Sequence, residues 1–472
     1  MLPWCCLVLT TFRLEIGLSI VVACLVWSIR SYRSQHGSTK ATKTSKINAA
    51  STVIPGPAPS SFIFGNGLDT LGSVPRWHIT GAYPEPFLSW IHQYGGAVYY
   101  RELYTKVVLF SDPKALQHIL ALKESNYPRN RSIRAFLTDT LLGTSLLSSE
   151  GSDHAHQRKT MNPHFSQAQI KPFVSIFELY TRERLLPALH DVSQSQSLVN
   201  LTKVFQKLTL GIIGKIAFSM DFDEHPTVHE AIMQLLATPS VSTYLGLLYI
   251  PGFSRLPLPE LNRRRKLASK SPQTDLLDLI LPHASPSEAV AHTMTFLLAG
   301  HETTSSTLSW VVVEACRRPQ VVAKIRQECR KVLKKRDACE DNEVPISDGS
   351  SIFIPKGTSI AMIAAAIHRN PRYWTKPNEF IPERFLPGTP EWTADEVLRG
   401  GSSHNFYFLL FSMGTKNCIG QRFAMAEIRV ILAMLFANFD IKINAASNLF
   451  PKFNGMTIHP ADLQVTIHAL EN

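Results

Sequence analysis

The architecture of this chain can be inferred from one segment of its sequence, Phe411-Ser-Met-Gly414-Thr-Lys-Asn-Cys418-Ile-Gly420. A single cysteine lies between two glycines, and an apolar run with helical spacing follows at once, over residues 423–436. The positive end of that helix dipole and the backbone N–H groups of the loop both favour a negatively charged sulfur. Gly414 permits a turn that a side chain would obstruct, and Gly420 lets the backbone approach a flat ligand closely.

Two interpretations of Cys418 are open on these grounds. A cysteine beside a glycine turn is most often a buried free thiol that acts as a small apolar side chain. A lone thiolate facing a flat ligand instead indicates haem iron held by a single protein ligand. The spacing F-x-x-G-x-x-x-C-x-G favours the second interpretation, because chance rarely supplies the whole pattern.

A second motif, Ala299-Gly300-His-Glu302-Thr303-Thr, lies within a long apolar helix predicted over residues 289–316. The two small residues thin the helix so that a ligand can lie against it. The Thr303 hydroxyl can donate to the Ala299 carbonyl, four residues earlier, and open a gap in the helical hydrogen bonds that could hold dioxygen and water. Glu302 supplies a carboxylate able to relay protons from solvent. The alternative is a helix–helix contact through small residues with a buried threonine.

Both motifs resemble those of the cytochrome P450 family, the haem-thiolate monooxygenases, and they stand in the family's order. The cysteine segment resembles the family's haem-binding loop. The resemblance implies that Cys418 ligates the haem iron as its metal ligand, and that Phe411, Gly414 and Gly420 belong to the cofactor-binding loop.

The helical motif matches the family's oxygen-activation pattern, (A/G)-G-x-(D/E)-T-(T/S), at every position. The resemblance therefore implies that Thr303 and Glu302 are catalytic residues that manage oxygen and protons. It also implies that Ala299 and Gly300 lie against the haem as cofactor-binding residues.

Three basic side chains complete the predicted cofactor site. The family has Trp or His four residues before an Arg in an upstream helix, and His154 and Arg158 match this pattern in type, spacing and order. That spacing places them on one helical face, and the resemblance implies that they hold the haem propionates. Lys416 stands where the family usually has Arg, and it can meet a propionate only as a point charge. Without the resemblance, residues 150–159 would be interpreted as a solvated basic helix end.

The resemblance implies a mainly α fold with a smaller β portion, in one haem domain over residues 55–472. Residues 1–29 are apolar apart from Arg13 and Glu15, and residues 1–30 predict a retained membrane anchor. The rival is a cleaved signal peptide, but basic residues follow the apolar run and none precedes it. Residues 31–54 predict a polar, basic linker on the cytosolic side. We therefore expect a single-pass protein of the endoplasmic reticulum membrane whose catalytic domain faces the cytosol.

The chain carries a net charge of +11, which favours acidic partners. Such a partner could be nucleic acid, anionic lipid or an acidic protein. Nucleic acid is the least favoured of the three, because there is no zinc-finger spacing and no single long basic stripe. The seven cysteines are scattered and do not predict a disulfide framework. No flavin or nicotinamide module is recognisable, so electrons must come from elsewhere, and the resemblance implies a separate NADPH-dependent flavoprotein reductase. The predicted substrate is a lipophilic small molecule of lipid or secondary metabolism.

One part of the chain departs from the family pattern. Residues 334–351 are polar, and the helix that normally carries Glu-x-x-Arg near here is not recognisable. The arginine that this helix normally contacts is present, because Pro382-Glu-Arg384-Phe matches the corresponding family segment. The Glu-x-x-Arg spacings at 314–317 and 396–399 occur at the wrong places in the chain. A buried Arg384 needs a carboxylate. Either another carboxylate reaches it, or the region is loose and haem loading is poor; we expect the second outcome.

The sequence thus predicts a monooxygenase that hydroxylates or epoxidises a lipophilic molecule with one oxygen atom from O2. Two alternatives remain. One is a haem-thiolate isomerase or peroxygenase. The other is a truncated, poorly haem-loaded relative without catalytic activity.

Overall fold

The structure is a computed structural model, and it describes residues 54–141, 143–218, 221–224, 286–332, 358–454 and 457–470. The predicted anchor, nearly all of the predicted linker and the departure at 334–351 lie outside the described residues. Within these described ranges, none of the helices has the length and apolar character needed to cross a membrane.

Helices dominate the described chain, as the sequence predicts. In chain order the α-helices are α1 (Gly67–Thr70), α2 (Trp77–Thr80), α3 (Phe87–Tyr94), α4 (Pro113–Gln117), α5 (Arg131–Thr140), α6 (Gly151–Met161), α7 (Gln167–Ile170), α8 (Phe173–Tyr180), α9 (Leu186–Ser195), α10 (Leu201–Phe218), α11 (Pro286–Cys316), α12 (Pro319–Val332), α13 (Ala364–Ile367), α14 (Pro390–Leu398) and α15 (Gln421–Asn438). Two π-helical turns occupy His118–Leu122 and Thr181–Leu185, and 3-10 turns occupy Val74–Arg76, Glu124–Asn126, Asn162–Phe165 and Pro382–Phe385.

The β portion consists of short strands in small sheets. The strands are β1 (Ala97–Glu102), β2 (Thr105–Phe110), β3 (Val199–Asn200), β4 (Ser359–Ala361), β5 (Phe439–Ile443), β6 (Asn448–Phe453), β7 (Ile458–Asp462) and β8 (Gln464–Ala469). The described sheets have the orders β1-β2-β4, β3-β8-β5 and β6-β7. Neighbouring strands are antiparallel except β2 and β4, which are parallel.

By their contacts the described residues form two compact units, and the first consists of residues 54–73, 85–115 and 358–370. It contains the β1-β2-β4 sheet, whose β-branched and aromatic residues suit a pleated surface. Val98 and Leu109 are fully inaccessible to solvent. Helix α3 ends at Gly95, whose positive φ of 95° favours glycine. Strands β1 and β2 pair antiparallel, with Val98 opposite Leu109.

The second unit contains the remaining described residues and all the predicted site residues. Its core lies among α8, α10, α11, α15 and the β3-β8-β5 sheet. The three longest of these helices each contribute a fully buried side chain to the core: Phe205 from α10, Leu308 from α11 and Ile431 from α15. Helix α15 begins directly after Gly420, so the end of the cysteine loop is held by a helix that is itself packed in the core.

Candidate functional site

Most of the predicted site residues line one cavity of about 500 Å³ within the second unit. A volume of this size is ordinary for a small-molecule or cofactor site. The members that line it are Phe411, Lys416, Cys418, Gly420, His154, Arg158, Ala299, Gly300 and Thr303. The rest of the wall is mostly apolar: Leu146, Leu147, Met161, Phe165, Phe173, Ile213, Ile216, Phe296, Leu410, Ile419, Phe423, Met425 and Ile428. Gly414 and Glu302 are not lining residues.

The cysteine loop is held by backbone contacts that explain one of its glycines. The N–H group of Cys418 donates to the carbonyl of Phe411 at 2.9 Å. Gly414 has a φ of 77°, and a Cβ atom there would lie 1.8 Å from the carbonyl oxygen of Leu120. Glycine is therefore required at 414 by the turn, as predicted. At Gly420 a Cβ atom would meet the Cys418 sulfur at an ordinary 3.9 Å, so the close approach predicted there concerns a ligand and not the protein.

The Cys418 side chain is accessible because it opens onto the cavity. Burial raises the pKa of its thiol, while the Gly420 N–H and the charge of Arg158 act in the opposite direction. The donors that the sequence predicts are thus present, but burial outweighs them. Coordination to a metal removes the proton from a thiol. A bound metal would therefore produce the Cys418 thiolate that the loop alone does not favour.

Arg158 holds the loop residue that precedes the cysteine. Its Nη1 donates to the Asn417 carbonyl at 2.6 Å and its Nη2 to the Asn417 side-chain oxygen at 2.7 Å. The third guanidinium nitrogen, Nε, donates to the side-chain oxygen of Asn162 at 2.8 Å. Arg158 therefore positions the loop in addition to any contact with a propionate, and the sequence did not predict Asn417 as its partner.

The other basic groups share two carboxylates. Lys416 Nζ lies 2.6 Å from Glu150 and 3.3 Å from Glu124, and Arg129 lies 3.1 Å from Glu150. Burial acts to raise the pKa of Glu150, but bonds from Lys416 and Arg129 outweigh it and hold that pKa below its ordinary value. Burial lowers the pKa of His154, and Arg129 and Lys416 act in the same direction. Glu150 and Glu124 act in the opposite direction without overcoming this lowering.

Sequence reasoning missed Arg129, which also lines the cavity. No pattern around it distinguishes it from a surface arginine. Glu150 directly precedes α6 and belongs to the predicted basic helix end, residues 150–159. Its role as a shared partner of two cations depends on chain segments that are far apart in sequence. A second depression of about 910 Å³ contains both carboxylates and shares His154, Arg158 and Lys416 with the cavity.

On α11 the predicted hydroxyl bond is present. Thr303 Oγ1 donates to the Ala299 carbonyl at 2.7 Å, although the helix stays α-helical from Pro286 to Cys316. A Cβ atom at Gly300 would lie 3.0 Å from the side chain of Ile213 on α10. Gly300 therefore serves the close contact of two helices, which was the alternative interpretation, and it lines the cavity as well.

Glu302 lies in different surroundings from those the sequence suggests. Its carboxylate accepts hydrogen bonds from the side chains of Asn454 and, at 3.3 Å, Thr457, in the connection between β6 and β7. The neighbouring His301 ring lies 3.6 Å from the other oxygen. Proton transfer from Glu302 to the cavity would therefore require its side chain to leave these partners.

The surroundings of Arg384 correct another expectation. Arg384 is buried, as predicted, but a carboxylate does reach it: Asp395 Oδ2 lies 3.6 Å from its Nε. This is the outcome that the sequence disfavoured. The reason is helix α14, which no motif predicted and which returns the chain past Arg384 eleven residues later. The Glu314–Arg317 pair is a separate contact on α11.

The residues present fit a haem. One thiol opens onto an apolar cavity, and hydroxyl groups on α11, including that of Thr303, line it. Five basic side chains reach the same cavity: Arg129, His154, Arg158, His164 and Lys416. A thiolate ligand, apolar surroundings for a ring and basic groups for acidic substituents are the donor set that haem requires.

Comparison with known proteins agrees with this chemistry. Residues 55–273, 258–346 and 341–467 match the family model described as cytochrome P450. The chain is 24% identical over 494 residues to cytochrome P450 monooxygenase claP of Ampulloclitocybe clavipes, covering 85% of this chain and 88% of the relative. It is 26% identical over 406 residues to cytochrome P450 4F12 of Homo sapiens, with coverage of 70% and 75%. Cytochrome P450 3A6 of Oryctolagus cuniculus is 23% identical over 455 residues, with coverage of 80% and 88%.

Proposed function

The chain belongs to the cytochrome P450 family, a haem-iron family of monooxygenases, and we propose that it inserts one oxygen atom of O2 into a lipophilic small molecule. The observation that carries this proposal is that Cys418 and Thr303, from two motifs far apart in sequence, line one apolar cavity. The apolar wall favours a lipophilic substrate, because burial of apolar surface is the main favourable contribution there.

The described residues would divide the work as follows. Bound haem iron supplies the dioxygen chemistry, with Cys418 as its thiolate ligand. His154, Arg158, Lys416 and Arg129 would hold the propionates. Thr303 donates its own proton to the Ala299 carbonyl, so its oxygen lone pairs stay free to accept a hydrogen bond within the cavity. Glu302 would deliver protons only after releasing Asn454 and Thr457.

Electrons would come from a separate NADPH-dependent flavoprotein reductase, the usual arrangement in the family. The net charge of +11 supports docking with an acidic partner surface. Attraction between exposed charges is screened by salt over a Debye length of about 8–10 Å. The rate of reduction by the partner should therefore fall as ionic strength rises, and a flat salt dependence would exclude electrostatic docking.

We also propose that residues 1–30 anchor the protein in the endoplasmic reticulum membrane, with the catalytic domain in the cytosol. The support is the apolar N-terminal run and the basic residues that follow it. The full chain should stay with microsomal membranes after alkaline extraction and should lose this association when residues 1–30 are removed.

Two alternatives are tested by the same preparations. A haem-thiolate isomerase or peroxygenase would turn over without a reductase, whereas the proposed monooxygenase depends on one. A poorly loaded, non-catalytic relative would show little haem per polypeptide. The contact between Asp395 and Arg384 favours a loaded protein, because it supplies the carboxylate whose absence was the reason to expect poor loading.

The decisive experiment is the Soret band of the reduced, CO-bound protein. A thiolate-ligated haem gives a strongly red-shifted band, and Cys418→Ala should abolish it. Cys316→Ala is the matched control, because Cys316 is a free cysteine that does not line the cavity. A red-shifted band that survives Cys418→Ala would refute the proposed ligand.

A further inference from the structure

Arg384 is a buried cation close in sequence to the cysteine loop. It lies in the 3-10 turn Pro382–Phe385, and its side chain is only 7% exposed. Its Nη2 donates to the carbonyl of Thr375 at 2.6 Å. A guanidinium removed from water in this way is strongly unfavourable unless a carboxylate compensates its charge.

Asp395 on α14 supplies that carboxylate. It is completely buried, and its Oδ2 lies 3.6 Å from Arg384 Nε. Its other oxygen accepts from both the N–H, at 2.7 Å, and the hydroxyl, at 2.6 Å, of Thr375. Thr375 therefore binds Asp395 through two donors and Arg384 through its carbonyl, which joins the three residues in one cluster. Among the described residues, Asp395 is the one carboxylate within ion-pair distance of Arg384.

A second buried arginine makes this carboxylate more important. Arg399, just after α14, has its guanidinium 4.9 Å from the centre of the Trp374 ring, and that of Arg384 lies 5.7 Å from the same ring. The face of an indole attracts cations, but two buried positive charges around one ring also repel each other. Burial lowers the pKa of Arg399, and Asp395 acts against this lowering. Of the two arginines, Arg384 is the one that forms an ion pair with Asp395, so without this carboxylate two buried cations would lie around one ring with no ion pair from Asp395.

The ring that these arginines flank is connected to the cysteine loop. Trp374 lies 6.1 Å from Phe408, and Phe385, the residue after Arg384, lies 4.7 Å from the same ring. Phe408 is three residues before Phe411, whose carbonyl accepts the N–H of Cys418 at 2.9 Å. A displacement of Trp374 or Phe385 would therefore be transmitted through Phe408 to the start of the loop.

We infer that Asp395 is a positioning residue for Cys418: by compensating Arg384 it fixes the aromatic contacts that hold the loop in the geometry needed to ligate iron. Among the described residues the carboxylate comes from α14, after Arg384 in sequence. The inference rests on the proposed role of Cys418 as the haem ligand.

The test compares Asp395→Asn with the parent chain. The variant keeps the size of the side chain but removes its charge, and it should lower the melting temperature. At equal haem content, the fraction of reduced, CO-bound protein with the red-shifted Soret band should fall several-fold. A general loss of stability would lower the melting temperature without changing this fraction in the protein that remains folded. Glu391→Gln is the control: it removes a half-buried carboxylate four residues earlier on α14 and should change neither measurement.

A double-mutant cycle keeps the inference testable even if Asp395→Asn folds poorly. Removing both charges, in Arg384→Met with Asp395→Asn, should cost clearly less melting temperature and haem than the sum of the two single variants, because no uncompensated charge remains at this pair. Additive losses would overturn the pairing. If Asp395→Asn retains the red-shifted fraction of the parent, the positioning role is refuted. If the parent itself lacks the red-shifted band, the proposed function fails instead.

Discussion

Replacing Glu427 with glutamine should make this protein more stable at neutral pH. Glu427 lies on α15, nine residues after Cys418, and is only 1% exposed. Apart from the nearby Thr304 hydroxyl, neither carboxyl oxygen has a hydrogen-bond donor among the described residues. Burial raises the pKa of Glu427 well above its ordinary value, and the nearby Thr304 hydroxyl only partly opposes this. The folded protein therefore keeps this carboxyl protonated at a pH where the unfolded chain has released the proton.

The size of the effect follows from proton linkage. Well below pH 4.5, the ordinary pKa of glutamate, both states hold the proton and Glu427 causes no pH-dependent loss of stability. As the pH rises above this value, the unfolded state gains the free energy of ionisation and the folded state does not. The free energy of unfolding of the parent should therefore fall, relative to Glu427→Gln, by about 1.4 kcal/mol per pH unit until folded Glu427 itself ionises.

The assay is denaturant unfolding of both proteins, in the same haem state, from about pH 5 to about pH 7. The unmet donors of the glutamine amide change the free energy of unfolding of the variant by an amount that does not vary with pH. The test is therefore how the difference in free energy of unfolding between the two proteins changes with pH. Coincident transitions by two probes would justify a two-state treatment. Glu183→Gln, at an exposed position, should not change the slope. Parallel pH curves for parent and Glu427→Gln would show that the buried carboxyl is not held protonated.

Three further outcomes are expected. Gly414→Ala should cost far more melting temperature and haem than Gly388→Ala, because both positions have positive φ, worth about 1–2 kcal/mol of strain, but only at 414 does the new atom collide with backbone. Thr303→Ala should keep haem and substrate affinity but lower the product formed per NADPH consumed, whereas unchanged coupling would refute an oxygen-activating role. Glu150→Gln should destabilise the protein at neutral pH by about 1–3 kcal/mol. Because the pKa of Glu150 is lowered, the difference in free energy of unfolding between parent and variant should vanish as the pH falls below 4.5. A difference that persists in acid would contradict this.

The family, the mainly helical fold and most of the residues that line the cavity could be recognised from the sequence. These features depend on local patterns. The turn at Gly414 needs a residue without a side chain, a thiol beside a helix N-terminus marks a ligand, and the spacing of His154 and Arg158 puts both on one helical face. Such patterns act over a few residues, so they can be recognised before the chain is folded.

Which charged groups lie next to each other depends on the folded structure. Lys416 and Glu150 are 266 residues apart in sequence, and Glu302 and Asn454 are 152 apart. Asp395 is near Arg384 in sequence, but it became the partner because α14 turns the chain back and buries it. A buried charge requires compensation and does not specify the residue that provides it. The identity of that residue depends on which elements pack together, and local sequence patterns carry little information about that packing.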